Sequence, residues 1–197
     1  MIKGIKEYFF VAVSAGSVLL IDFLSKNKII SIFKDGIVEK IYVNEYLDFI
    51  LVFNTGISYG LFSGGGDFQK WILISLSILI IIFLLSLIRN ESTILSKLSI
   101  SFIIGGALGN VLDRFTYGAV VDFISLHAKG FSWYIFNIAD MFIVLGVILF
   151  ILSQFILSKK KILADYVINN NFSVNVMKKK VKLIKKKILN ERNSSRY

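Results

Sequence analysis

Residues 105–140, GGALGNVLDRFTYGAVVDFISLHAKGFSWYIFNIAD, carry three aspartates, one arginine and two asparagines between segments apolar enough to cross a bilayer. Ionisable side chains at membrane depth are costly unless paired or wetted, so such a cluster is a functional candidate by default. Asp122 sits inside the apolar run 119–126, whose composition is strand-like, and Asp140 in the first turns of the next hydrophobic stretch. The two carboxylates therefore belong to separately positioned segments.

Working outward, residues 71–88 contain no charge and read as a membrane helix with Trp71 at its interfacial end. Residues 98–112 give another span, with Gly105 and Gly109 at the small-x-x-x-small spacing that lets helices approach closely. Residues 134–157 give a last span, and residues 8–24 a first one. The basic start at Lys3 and Lys6 resembles a signal peptide, but no small-residue cleavage site follows, so an uncleaved helix is expected. Asp22 and Lys26, four apart, share a face at its end. Residues 27–69 and 113–133 lie outside the spans. The first of these holds the strand-like run 41–53 and the turn Asn54-Thr55-Gly56. The expected fold is an α-helical membrane protein with four transmembrane helices and a small β-sheet on one face.

The net charge of +10 is unevenly placed. Residues 1–157 hold eleven basic and eleven acidic side chains, whereas residues 158–197 hold twelve basic ones against Asp165 and Glu191. The expected organisation is a neutral membrane domain, 1–157, and a basic tail, 158–197. No nucleic-acid-binding motif accompanies that charge, so no nucleic-acid partner is expected. Four spans put both termini on one side, with Lys3, Lys6, Arg89, Lys97 and the tail, which the positive-inside rule assigns to the cytoplasm. Asp22, Asn54, Arg114, Asp122, Asn137 and Asp140 then gather at the outer face. In the tail, Met177, Val181, Ile184 and Ile188 alternate with lysines, a pattern shared by an amphipathic helix on membrane lipids and by a solvated tail.

The chain has no cysteine and one histidine, His127. Thiol chemistry is excluded, and neither a metal nor another cofactor is expected. Two carboxylates facing one cleft cannot both ionise comfortably, so one keeps a proton. The charged member can then activate water against a peptide carbonyl while the protonated member hydrogen-bonds the carbonyl oxygen. Asn137, three before Asp140 and so on the same helical face, can orient it or bind substrate backbone. Arg114 is assigned a positioning role, because a guanidinium too close would keep both acids charged, and Asp113 is read as its structural partner. From spacing alone, an aspartyl hydrolase and a structural ion-pair cluster both account for these residues. A serine protease built on Ser63 and His127 lacks an orienting third group. A carboxylate-lined proton or ion transporter is the non-enzymatic alternative, although it would place its acids at mid-membrane.

The segments Asn54-Thr55-Gly56, Gly105-Gly106-Ala107-Leu108-Gly109-Asn110-Val111-Leu112-Asp113-Arg114, Val120-Val121-Asp122-Phe123 and Phe136-Asn137-Ile138-Ala139-Asp140, with Asp22 and Lys26, resemble the lipoprotein signal peptidases, or signal peptidase II. The resemblance covers roughly residues 5–157. It implies a bacterial inner-membrane aspartyl endopeptidase that removes the signal peptide from diacylglyceryl-modified prolipoproteins, cutting before the lipidated cysteine. It places Asp122 and Asp140 at the catalytic positions, and Asn54, Gly56, Asn110, Arg114 and Asn137 where they bind or position substrate. Asp22, Lys26 and Asp113 are expected to give structural support, the active site to lie near the periplasmic face, and the enzyme to act as a monomer. Ser58-Tyr59, where an Ala-Phe pair is more usual, Met141, where a small residue is common, and the longer tail depart from the family pattern.

Overall fold

The computed structural model of the chain describes residues 2–56, 66–91, 93–165 and 174–194. Ser58, Tyr59 and Ser63 lie outside them. The order is α1 (Ile2–Phe33), β1 (Ile41–Asn44), β2 (Leu47–Asn54), α2 (Gly66–Leu87), α3 (Ile94–Tyr117), β3 (Val120–Ala128), β4 (Phe131–Phe136), α4 (Ile138–Asp165) and α5 (Val174–Ser194). A 3-10 turn at Ile88–Asn90 follows α2. Two compact units result, Met1–Ser153 and Gln154–Tyr197.

Four helices in the described residues are long and apolar enough to cross a membrane: Ile5–Phe33, Gly66–Asn90, Ile94–Tyr117 and Ile138–Ser158. Their outward surfaces carry exposed Leu79, Phe83, Val144 and Phe155, as expected of helices solvated by lipid rather than water. α3 is the central helix, and its glycines explain why. A side chain at Gly105 would strike the backbone of α1 at Ala15, and one at Gly106 the backbone of α4 at Ala139. Gly109 faces the carboxylate of Asp22 with no room for a Cβ. The Gly105/Gly109 spacing thus serves the α1 contact, while Gly106, which the spacing did not single out, admits α4.

Thr93 caps the start of α3, its hydroxyl accepting from the Ser96 amide at 3.0 Å. Gly118, at φ +74°, ends the helix in a left-handed turn that a Cβ would strain. At the Thr93 end, Lys97 pairs with Glu7 at 2.8 Å, and Arg89 donates to the Tyr8 hydroxyl at 3.1 Å. Asn110 and Arg114 lie towards the other end, several turns away.

The two excursions form one sheet, not two. Its order is β1-β2-β3-β4, antiparallel throughout. The first hairpin turns at Glu45-Tyr46, and the second at Lys129 (φ 47°) and Gly130 (φ 82°), positions that require the left-handed region. The central β2–β3 pairing sets Val52 opposite Asp122 and Asn54 opposite Val120.

Three boundaries differ from those expected. α1 does not end near residue 24 but continues to Phe33. Asp22 and Lys26 looked like a span end, yet they neutralise each other inside the protein, so the helix passes through them. Its last turns bury Ile29 and Phe33 against Phe123 and Ile124 of the sheet. α3 likewise runs beyond residue 112 to Tyr117. Residues 134–136, expected to open the last helix, are the end of β4, because this aromatic run satisfies its backbone on β3 and Asn137 starts the helix. The broad strand expectation over 41–53 resolves into β1 and β2.

Candidate active site

Asn54 ends β2 and folds back on its own backbone. Its Oδ1 accepts from the Gly56 amide at 3.0 Å, an Asx turn that leaves Nδ2 aimed at Asp122 Oδ2, also 3.0 Å away. Gln69 of α2 holds the next carbonyl, its Nε2 donating to Thr55 at 2.9 Å. The loop is therefore fixed from both sides before it meets the carboxylate.

Asn137 precedes α4, so it does not share a helical face with Asp140 as the spacing suggested. It caps the helix. Its Oδ1 accepts from the Asp140 amide at 2.9 Å, and Asp140 Oδ2 accepts from the Asn137 amide at 3.3 Å. This reciprocal cap fixes Asn137 Nδ2, which donates to Asp122 Oδ1 at 2.7 Å and to Asn110 Oδ1 at 3.2 Å. Asn110 of α3 then donates its Nδ2 to Asp140 Oδ1 at 2.8 Å. Two amides thus tie both carboxylates together, and Asn137 is wholly buried between them.

The orientation of Asn110 is not free. Lys26 Nζ, which can only donate, lies 3.3 Å from Asn110 Oδ1. That lysine is 2% exposed and bridges Asp22 and Asp113, each at 2.7 Å. Backbone amides add to both: Asp22 accepts from Ala139 at 2.8 Å through its other oxygen, Oδ1, whereas Asp113 accepts from Val121 at 3.0 Å through the same Oδ2 that meets Lys26. Asp22 and Lys26 are therefore a buried pair rather than a solvated one. Asp113 partners Lys26 and not Arg114, contrary to expectation, because adjacent helical residues point in different directions. The support these three provide is direct: Asp22 holds the start of α4 and Asp113 the start of β3.

Arg114 spans two backbone carbonyls, Gly56 through Nη2 and Asn110 through Nη1, both at 3.3 Å. Among the described residues no ion pair joins it to Asp122 or Asp140, so it closes the loop as a nearby charge with no direct bond to either acid. Burial raises the Asp122 carboxyl to about 6, helped by the charge of Asp140 and opposed by the Asn54 and Asn137 hydrogen bonds.

A groove of about 1190 Å³ runs past these groups. Asn54, Gly56, Asn110, Arg114, Asp122 and Asp140 line its polar end, and Trp133 and Tyr134 stand on its rim. The other wall is one face of α4, Met141, Val144, Leu145 and Ile148, all outwardly exposed. The groove therefore leads from two carboxylates onto an apolar surface of a membrane-crossing helix.

A family model for signal peptidase (SPase) II matches residues 14–156. The chain belongs to this family. It is 49% identical to a lipoprotein signal peptidase of Methylobacterium radiotolerans over 109 residues, 55% of this chain and 64% of that protein. With a lipoprotein signal peptidase of Nitrobacter hamburgensis it shares 38% identity over 148 residues, 73% of this chain and 90% of the relative. The match thus spans under two thirds of the first relative's length and most of the second's. Among solved structures it resembles a bacterial membrane enzyme obtained by the in meso method at 2.3 Å, with TM-score 0.67, 29% identity, and coverage of 77% of this chain and 91% of that one. As a signal peptidase II family member with four membrane-length helices, the chain is a multi-pass bacterial membrane protein. Nothing in these likenesses favours the transporter alternative.

All ten residues singled out from the sequence fall within this network. His127 does not. Its Nε2 meets Asp48 Oδ2 at 2.8 Å on the sheet, away from the groove lining. Asp48 also pairs with Lys40. Gln69 was missed, and no short motif marks it, because its contact spans a turn whose shape the sequence does not specify.

Proposed function

We propose that the chain is an aspartic endopeptidase that removes the signal peptide from diacylglyceryl-modified prolipoproteins, with Asp122 and Asp140 as its catalytic pair. The observation that carries this reading is the pair of shared amides, Asn110 and Asn137, holding two carboxylates at the polar end of a groove that opens onto lipid-facing α4.

The chemistry follows from the arrangement. Asp122 holds the shared proton, since burial and the charge of Asp140 both favour its neutral form. A substrate filling the groove displaces water and strengthens that preference. Asp140 takes a proton from water as the water oxygen attacks the scissile carbonyl carbon. Asp122 hydrogen-bonds the carbonyl oxygen as negative charge develops there. Collapse of the tetrahedral species breaks the C–N bond, and the proton collected by Asp140 passes to the leaving amine. Asn54, Asn110 and Asn137 keep both acids in register, and Arg114 with Gly56 closes the groove beside them.

The diacylglyceryl group supplies position. Acyl chains along Met141, Val144, Leu145 and Ile148 fix the depth of the peptide bond relative to the carboxylates, a proximity effect that a soluble peptide lacks. Met141, the departure from the usual small residue, stands on this wall and narrows it. By the distribution of basic residues, the site faces the periplasm and both termini the cytoplasm.

The test is cleavage of purified prolipoprotein, with and without its diacylglyceryl group, by the reconstituted protein. The expected result is release of the signal peptide at the lipidated cysteine and little cleavage of the unmodified form. Equal cleavage of both forms, or none of either, overturns the proposal.

A further inference from the structure

α5, in the second compact unit, is unlike every other helix of the chain. It carries seven lysines between residues 178 and 187, with Glu191 its one acidic residue. At 100° per residue, Met177, Val181, Ile184 and Ile188 fall on one stripe. Lys178 and Lys185 flank it on one side, and Lys180 and Lys187 on the other. The stripe is partly uncovered: Val181 is 48% exposed and Ile188 39%, with Met177 and Ile184 half-buried. Lys179 and Lys186 lie on the opposite face, although Leu183 also lies off the stripe.

From this geometry we propose that α5 is a membrane-surface helix seated on an anionic bilayer leaflet. The stripe enters the acyl boundary, while Lys178 and Lys185 extend their stems over it and place their ammonium groups on lipid phosphates. The predominantly positive charge complements anionic headgroups, and two observations select a lipid surface over other polyanions. The lysines flank an apolar stripe, whereas a helix binding a nucleic-acid backbone needs no such stripe. In addition, α5 begins at Val174, only a short connection after α4, whose Ile138–Ser158 portion is a candidate span, so a bilayer is always within reach. The inference goes beyond peptide cleavage and does not rest on it.

The absence of cysteine makes the experiment direct. The full chain is placed in nanodiscs of phosphatidylcholine, with or without phosphatidylglycerol. Single Val181→Cys and Lys179→Cys variants carry an environment-sensitive dye, and quenching by aqueous iodide is measured. With phosphatidylglycerol, the Val181→Cys label is expected to be protected several-fold and the Lys179→Cys label to stay accessible. High salt, or phosphatidylcholine alone, reverses the protection. Adding Lys178→Gln, Lys182→Gln and Lys185→Gln together lowers the bound-to-free ratio of the helix at least about tenfold. Equal quenching of the two labels in phosphatidylglycerol discs overturns the proposal. Protection that appears only on adding RNA does so too, and assigns the helix to nucleic acid.

Discussion

Two pairs of aspartates lie side by side in this protein, all buried but the half-buried Asp140, and they are treated in opposite ways. Asp22 and Asp113 share the ammonium of Lys26, and each also accepts a backbone amide. Among the described residues, Asp122 and Asp140 receive hydrogen bonds only from neutral donors, the side chains of Asn54, Asn110 and Asn137 and the backbone of Asn137. The first pair is neutralised in place and ties α1, α3, α4 and β3 together. The second is positioned as firmly but left with its charge problem unsolved, and a shared proton is the remaining way to solve it. Asn110 joins the two, one end of its amide on Lys26 and the other on Asp140. Structural and chemical roles are thus separated by whether a cation is supplied.

The largest effect expected from this contrast is on turnover. Asp122→Asn or Asp140→Asn should lower cleavage of lipidated prolipoprotein by about a thousandfold or more while leaving thermal unfolding in detergent unchanged or slightly improved. A comparable loss of stability in these variants would erase the distinction between the pairs. Lys26→Met should do the reverse in kind. It leaves Asp22 and Asp113 buried without a cation and lowers unfolding free energy by about 3–5 kcal/mol. Adding Asp22→Asn and Asp113→Asn should restore part of that loss, as reversible unfolding in micelles can show.

Asn137 belongs to both descriptions, so its variants sharpen the line. Asn137→Ala should cost about 1 kcal/mol through the lost cap. It should also slow cleavage roughly a hundredfold through misplaced carboxylates. Asn137→Ser, which can still cap, should recover stability without recovering rate.

The smallest effect concerns a fifth aspartate, outside both pairs. The bond to Lys40 chiefly, and that to His127, hold Asp48 below its ordinary value of 3.8. A lowered folded-state value stabilises the protein above the unfolded value and is lost as pH falls through the folded one. The melting temperature should therefore decline slightly below pH about 4, and Asp48→Asn should remove that part of the decline.

Much of this was legible in the sequence, and the reasons are specific. Uncharged runs near membrane length announced the spans, and counting them brought Asn54, Asp122 and Asp140 to one face before any contact was known. The strand at Asp122 showed in its β-branched neighbours. What stayed hidden was pairing. Nothing local says that Lys26 reaches Asp113 rather than stopping a helix, so α1 looked shorter than it is. Asn137 looked like a helical neighbour of Asp140 because the aromatic run before it suits either a strand or a helix. The β2–β3 pairing, which sets Asn54 on Asp122, joins residues far apart in the chain and leaves no local mark. The Asp48–His127 contact is of the same kind.

The central claim is that Asp122 keeps a proton that cleavage needs. Its most direct test is the pH dependence of kcat/KM for the unaltered chain and for Asn54→Ala. The unaltered enzyme should lose activity as pH rises through about 6, the value at which Asp122 ionises. The Asn54 amide favours the ionised form, so removing it raises that value and should move the limb to higher pH. A profile that stays level well into the alkaline range, or a limb that moves to lower pH in Asn54→Ala, would contradict the account.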